Sequence, residues 1–208
     1  MDPIIVEDVE KIHKSGRHLL KIINDILDIS KLEANQTTIH MNPIDLDLFI
    51  DKLLITIEPA VQKQNNALVI ENECDDVYFV SDEFKLTQIM LNLLSNAAKF
   101  TFNGTIKLTI QEVGAHEIAF SISDTGVGIP EHAQEQIFLP FRQAENGQSR
   151  SFDGSGLGLA ISSKLAAILS GSISVESEVG EGTTFSLIMP KQVVETKRAP
   201  NSEEVVLI

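Results

Sequence analysis

The sequence predicts an α+β domain preceded by one long helix, and three regions carry this prediction. Apolar residues recur at alternating spacings of four and three over residues 4–33, the pattern of a helix that packs on another helix. Residues 105–113 and 117–123 alternate apolar and polar side chains, as half-buried strands do. An amphipathic helix is predicted over residues 88–101. Helices and strands mixed in this order are typical of an α+β domain.

The composition is that of a globular protein with an acidic surface. The 208 residues suffice for one domain and a smaller element, and 43% hydrophobic with 22% charged residues is ordinary for a packed fold. The net charge of −14 disfavours contact with nucleic acid or anionic membranes. A nucleotide ligand would therefore need local positive charge from lysine, arginine, a metal ion or a helix N-terminus.

The chain has one cysteine and no segment typical of a membrane anchor. A single cysteine, Cys74, cannot form an internal disulfide. We interpret it as an inert, buried strand residue in preference to a reactive thiol. No apolar run approaches the roughly 20 residues of a membrane helix, and no signal peptide opens the chain. We therefore expect a cytoplasmic domain, whose longer parent protein is free to be membrane-anchored.

The long helix over residues 4–33 carries an apolar seam that needs a partner. A helix cannot bury such a seam against itself, so we expect a partner helix upstream or in a second copy of the chain. His13 and His18 are interpreted as surface or seam-edge residues, because no acid or base stands at a useful spacing from them. The seam consists of Ile5, Val9, Ile12, Gly16, Leu19, Ile23, Ile26 and Ser30.

Turn signals divide the rest of the chain into shorter elements. Ser81 or Asp82 is expected to cap the central helix. The remaining predictions are a turn at 42–43, a helix over 46–64, strands over 67–71 and 77–80, a helix over 161–169, a hairpin of strands 173–176 and 183–189, and a linker over 191–204.

The helix over 88–101 places polar groups along the edge of its apolar face. Asn92, Asn96 and Lys99 lie four and three residues apart and so form one stripe. Asparagine is a mediocre helix former, and a magnesium site that uses an amide oxygen is one reason for it, with the lysine facing a phosphate. A polar helix edge is the alternative. The apolar face consists of Leu86, Met90, Leu93, Leu94, Ala97 and Phe100.

Two glycine-rich segments follow the strands. In DTGVGIP, residues 124–130, Asp124 ends a strand, where its carboxylate can accept from the exocyclic amine of adenine. In GSGLGLA, residues 154–160, glycines precede a helix and expose N–H groups to a phosphate. This is not the dinucleotide motif G-x-G-x-x-G, because Leu159 stands at its last glycine. The polar residues 144–153 are interpreted as a mobile lid.

With these motifs, the chain resembles the catalytic ATP-binding domain of sensor histidine kinases of two-component signalling, over residues 40–190. NLLSNAAKF resembles the N box, DTGVGIP, GSGLGLA and GEGTTF the three glycine boxes, and IFLPFRQ the F box. INDILDISKLEA is similar to the second helix of the family's dimerisation and phosphotransfer domain. The final VVLI resembles the first strand of a receiver domain, as in a hybrid kinase.

The resemblance implies a Bergerat-type two-layer α/β sandwich, a mixed sheet with helices on one face, with ATP and Mg²⁺ as cofactors. It divides the chain into a partial phosphotransfer helix at 1–36, the catalytic domain at 40–190 and a linker at 191–208, leading toward a receiver domain.

The resemblance also implies roles for individual residues. Asn96 would be the magnesium ligand with Asn92 beside it, and Lys99 would contact phosphate. Phe100 would pack near the adenine, whose exocyclic amine would donate a hydrogen bond to Asp124. Gly126, Gly128 and Ile129 would shape the base pocket, and Thr183 would support it through a water. The phosphates would lie on Gly154, Ser155, Gly156, Leu157 and Gly158, with Arg142 or Arg150 reaching them from the lid.

The chain departs from the family in lacking a phosphoacceptor histidine in a context like His-Glu-Leu-Arg-Thr-Pro. His13 and His18 fall on the second phosphotransfer helix, and His116 lies between strands. The γ-phosphoryl group would therefore pass to a histidine-bearing helix of the same kinase, and from there to a response regulator. We expect no nucleic-acid partner, no direct membrane contact, and a monomer or a weak homodimer through the first helix.

Two other functions compete with the kinase. A related ATPase of the gyrase and chaperone type needs a carboxylate general base four residues before the magnesium asparagine, but Asn92 occupies that position and cannot take a proton. A nucleotide-binding scaffold or sensor without turnover is the non-enzymatic alternative. The bland interpretation is an α/β domain whose glycines only form turns.

Overall fold

The computed structural model describes residues 3–34, 36–74, 78–142, 155–191, 198–199 and 202–203. The helices are α1 (Pro3–Glu33), α2 (Leu46–Lys63), α3 (Glu83–Phe100), α4 (Glu131–Gln134) and α5 (Gly158–Ile168), with a 3-10 helix at Gln136–Phe138. The strands are β1 (Asn42–Asp45), β2 (Ala67–Asn72), β3 (Tyr78–Ser81), β4 (Thr105–Val113), β5 (Glu117–Asp124), β6 (Ser172–Glu178), β7 (Gly182–Pro190), β8 (Arg198–Ala199) and β9 (Ser202–Glu203).

Five strands form one mixed sheet in the order β2-β4-β5-β7-β6. The β2/β4 pair is parallel, and α3 lies between these strands in the chain; the other pairs are antiparallel. Apolar residues alternate along β4, where Ile106, Leu108 and Ile110 are fully buried. This alternation gives the sheet one apolar face.

Helices α2, α3 and α5 cover the apolar face, which confirms the predicted two-layer sandwich. Their contact with the sheet includes an aromatic cluster, in which the ring centroid of Phe120 lies 6.4 Å from that of Phe49 and 6.2 Å from that of Phe79. The opposite face of the sheet carries hydroxyl pairs. Ser121 and Ser186 are hydrogen-bonded at 3.1 Å. Each face thus has its own chemistry.

Asp82 is the N-cap of α3, as one of the two predicted candidates. Its Oδ1 accepts from the Lys85 N–H at 3.1 Å, while its Oδ2 accepts from Lys85 Nζ at 2.7 Å and from the His40 N–H at 2.9 Å. Burial alone would raise the pKa of Asp82, but these hydrogen bonds and the lysine charge hold the pKa below its ordinary value. The start of α3 is thereby fixed to the segment before β1.

The structure corrects two details of the prediction. The Asn-Pro pair at 42–43 begins a strand rather than a turn, because β1 pairs with β3 in a two-stranded ribbon, where a proline lacking an N–H is tolerated. Cys74 is buried as expected, but it follows the end of β2 instead of lying within a strand. Strands β8 and β9 pair within the predicted linker; the lid at 144–153 and the strand at 205–208 lie outside the described residues.

Helix α1 is as long as predicted, and its seam is exposed. Ile12 is 71% exposed and Leu19 is 58% exposed, so within the described part of the chain no element covers them. A different stripe of α1 faces the domain, with Leu32 buried and Ile29 partly buried against the core. His13 is exposed. No helix among the described residues combines the length and apolarity needed to span a membrane.

Candidate active site

Asp124 is the last residue of β5, the central strand of the five-stranded sheet. The residue pairs with Thr183 of β7, and its Oδ1 accepts from the Gly126 N–H at 2.8 Å. Burial raises the pKa of the Asp124 carboxyl, and the hydrogen bond from Gly126 opposes that rise without cancelling it. The carboxylate is therefore partly desolvated and lacks full compensation for its charge.

A hydroxyl and an amide hold the loop after Asp124. Ser177 Oγ accepts from the Ile129 N–H at 2.8 Å, donates to the Gly182 carbonyl at 2.7 Å and lies 2.9 Å from Thr183 Oγ1. Gln134 Nε2 donates to the carbonyls of Ile129 and Ser177 at 3.1 and 2.7 Å. These bonds tie the loop to the β6/β7 hairpin and give this end of the site a rigid frame.

Ser177 and Gln134 were not predicted as site residues from the sequence. The contacts that join them to distant segments span more than 40 positions, 48 between Ser177 and Ile129 and 43 between Gln134 and Ser177, so local patterns do not reveal them. One signal was present: extending the first strand of the predicted hairpin by one residue sets Ser177 opposite Thr183.

Gly128 is required by its backbone conformation. Its φ is +71°, and an added Cβ would collide with the Glu178 carbonyl oxygen. The first glycine box thus packs directly on the end of β6. That Gly128 shapes a base pocket stays a prediction.

The predicted asparagines lie on α3, and Asn92 contacts α5. Asn92 Nδ2 donates to Ser162 Oγ on α5 at 2.9 Å. A Cβ at Gly158, the first residue of α5, would collide with Asn92 Oδ1. The glycine therefore lets the start of α5 approach the Asn92 amide. Asn96 is half-buried one turn further along α3.

Lys99 and Phe100 end α3 beside the first glycine box. The Lys99 Nζ lies 4.8 Å from the Phe100 ring centroid, within the range of a cation–π contact. The Phe100 carbonyl accepts a hydrogen bond from the Val127 N–H at 3.3 Å, which joins the end of α3 to the loop after Asp124. Both side chains are half-buried.

The second glycine box contacts α1 as well as the F box. Ser155 Oγ donates to Asp25 Oδ2 of α1 at 3.0 Å and accepts from the Leu157 N–H at 3.3 Å. The Gly156 carbonyl accepts from the Phe141 N–H at 3.0 Å. Leu157 precedes α5 without a side-chain cap, which leaves the first N–H groups of the helix for another acceptor.

The remaining predicted residues are only partly accounted for. Arg142 is exposed at the end of a described stretch, whereas Gly154 and Arg150 lie outside the described residues. Within the described ranges, no three His, Cys, Asp or Glu side chains are grouped to hold a metal. A cation at this site would thus rely on amide oxygens and on oxygens of the ligand.

The fold and these motifs match known proteins. A family model described as histidine kinase-, DNA gyrase B- and HSP90-like ATPase matches residues 81–193, more than half of the chain. The chain belongs to this family. The circadian input-output histidine kinase CikA of Synechococcus elongatus is 40% identical over 192 residues, which are 90% of this chain and 25% of that kinase. The family member described here thus spans a quarter of that relative.

Solved histidine kinases share the architecture. Full-length ShkA in complex with AMPPNP has a TM-score of 0.80 at 29% identity, covering 97% of this chain and 40% of ShkA. ThkA in complex with the response regulator protein TrrA has a TM-score of 0.74 at 25% identity, covering 92% of this chain and 53% of ThkA. These findings confirm the resemblance to histidine kinase catalytic domains, while the domain boundaries stay predictions.

Proposed function

We propose that this chain is the ATP- and Mg²⁺-binding catalytic domain of a sensor histidine kinase, which donates the γ-phosphoryl group to a histidine on another helix. The observation that carries the proposal is Asp124, a partly desolvated carboxylate whose pKa is raised by burial and whose neighbours are hydrogen-bond donors. Such a group gains from a ligand that donates a hydrogen bond. Membership of the ATPase family supports adenine as the donor.

At the base end, Asp124 would accept from the exocyclic amine of adenine. Gly126, Gly128 and Ile129 would line the ring, on the frame that Ser177 and Gln134 hold in position. Thr183 lies within that frame and would support the base through a water. The rigidity of the frame limits the ordering that binding requires.

At the phosphate end, the start of α5 and the end of α3 would hold the phosphates. The backbone N–H groups of Gly156 and Gly158 would donate to them, while the Leu157 N–H is bonded to Ser155 Oγ, and Lys99 would supply a positive charge. Asn96 fits a magnesium ligand because it is a half-buried residue on the stripe that begins at Asn92, and its side chain carries an amide oxygen. Magnesium would neutralise phosphate charge, and the contribution of the chain would be positioning.

The acceptor in this proposal is an imidazole outside the chain rather than water. Asn92 occupies the position of the general base in related ATPases, and its amide is already bonded to Ser162. The response regulator is the expected final partner, supported by the kinase–regulator complex among the similar structures.

Calorimetric titration of ATP, with magnesium and with a chelator, tests the site. Asp124→Ala should weaken binding by about 10- to 100-fold, as expected for a lost hydrogen bond to a charged group. Asn96→Ala should weaken it only when magnesium is present. Asp51→Ala and Asn24→Ala change exposed residues on α2 and α1 and serve as matched controls.

The outcomes separate the competing functions. Absence of ATP binding by the unmutated chain would contradict the catalytic assignment. Binding followed by phosphohistidine on an added histidine-bearing phosphotransfer domain would support the kinase. Binding without transfer to that domain would favour a nucleotide-binding module without turnover.

A further inference from the structure

Helix α1 contacts α3, α5 and the second glycine box through carboxylates. Three of its acidic residues each accept a hydrogen bond from a side chain on the domain, and the buried Leu32 anchors the same face. These pairs are Asp25 with Ser155 at 3.0 Å, Asp28 with Gln88 at 3.3 Å and Glu33 with Lys164 at 3.2 Å. Among them, only the first involves the second glycine box.

The contact between Asp25 and Ser155 occupies the hydroxyl of the glycine box. Ser155 Oγ gives its one proton to Asp25, and its oxygen accepts from the Leu157 N–H. The hydroxyl proton therefore faces α1 instead of a ligand. The same contact holds the Asp25 carboxylate at Ser155. Ser155 is two residues before Leu157, the residue that precedes α5.

Phosphates bound at the start of α5 would bring negative charge close to Asp25. Like charges separated by several ångströms at a partly buried site repel appreciably, because solvent screening is incomplete there. The Asp25 carboxylate and the terminal phosphates would also compete for the Ser155 hydroxyl. Binding of phosphate and docking of α1 at Asp25 therefore oppose each other.

We propose that Asp25 is a regulatory contact that couples the docking of α1 to nucleotide binding. With Asp25 on Ser155, α1 is held against α5 and the affinity for nucleoside triphosphate is lowered; bound triphosphate weakens this hold. Because linkage is reciprocal, both effects have the same size. This inference rests on the proposed function, since it concerns the site assigned there to phosphate.

The test compares Asp25→Asn with Asp8→Asn, which removes the same charge from an exposed part of α1. Asparagine keeps an oxygen that can accept from Ser155. In calorimetry, Asp25→Asn should bind Mg-ATP about three- to tenfold more tightly than the unmutated chain. It should bind ADP with a smaller gain and adenosine with no gain, whereas Asp8→Asn should match the unmutated chain throughout.

Amide hydrogen exchange gives the reciprocal measurement. ATP should speed exchange in residues 22–33 of the unmutated chain, and this acceleration should be smaller in Asp25→Asn. Both measurements use the full chain, and circular dichroism checks that the variants keep their helix content.

Each remaining result counts against the proposal. Equal ATP affinity for the unmutated chain and Asp25→Asn would overturn the coupling while leaving the ATP site intact. Weaker binding by Asp25→Asn would overturn it too, because the carboxylate would then assist the ligand or its magnesium. If neither chain bound ATP, the proposed function and the coupling would both fail.

Discussion

Two aspartates, each at the end of a strand, have opposite surroundings. Asp82 follows β3 and accepts three hydrogen bonds, one of them from the ammonium group of Lys85, so its pKa is lowered. Asp124 ends β5, and burial raises the pKa of its carboxyl by more than its hydrogen bonds, among them one from the Gly126 N–H, lower it. The charged form of Asp82 stabilises the fold. The charged form of Asp124 is disfavoured by burial until a ligand supplies a further hydrogen-bond donor.

The largest expected effect is the loss of the first carboxylate. Asp82→Ala should lower the free energy of unfolding by about 3–5 kcal/mol, because Lys85 would stay buried without its partner. Urea denaturation measures this change. Asp45, the N-cap of α2, accepts from the Leu48 N–H at 3.1 Å and provides the matched control. Asp45→Ala should cost only about 1 kcal/mol, and equal losses for both variants would remove the distinction.

The second expected effect is smaller and opposite in sign. Asp124→Asn removes the desolvated charge and keeps an oxygen that can accept from Gly126. Its melting temperature at neutral pH should therefore rise above that of the unmutated chain, although ATP binding weakens. A fall in the melting temperature would mean that Asp124 stabilises the fold, and the contrast with Asp82 would be lost.

The smallest effect is the pH dependence of these differences, measured by thermal melts between neutral and acidic pH. The folded pKa of Asp124 is above 3.8, so its unfavourable charge is fully present above the folded pKa and disappears as pH falls toward 3.8. The folded pKa of Asp82 is below 3.8, so its stabilising contribution persists to 3.8 and is lost as pH falls through the folded pKa. As pH falls, the advantage of Asp124→Asn should therefore begin to shrink at a higher pH than the deficit of Asp82→Ala does.

Local patterns predicted the elements that carry these residues. The alternation in β4 and β5 and the apolar face of α3 follow from periodicities within single segments, and Asp124 was expected at a strand end. Asp82 was one of two predicted caps. The five motifs also identified the family, because each motif is contiguous in the chain.

The contacts that define the site were harder to predict. Ile129 and Ser177 are 48 positions apart, and Asp25 and Ser155 are 130 apart. Such contacts depend on how the helices and strands pack, which the periodicity of a single segment does not encode. Strand β1 was missed for a related reason, since its pairing with β3 outweighs the local turn preference of Asn42 and Pro43.

The hydroxyl pair of Ser121 and Ser186 lies where the two hairpins of the sheet, β4/β5 and β6/β7, pair with each other. These residues are 65 positions apart, whereas β4 with β5 and β6 with β7 are joined as local hairpins. Hairpins form early, and a pairing that closes a long loop carries an entropic cost that delays it. Asp124 and Thr183 lie on opposite sides of this late junction. The base end of the site is therefore expected to assemble in the step that joins the two hairpins, and to report on its completion.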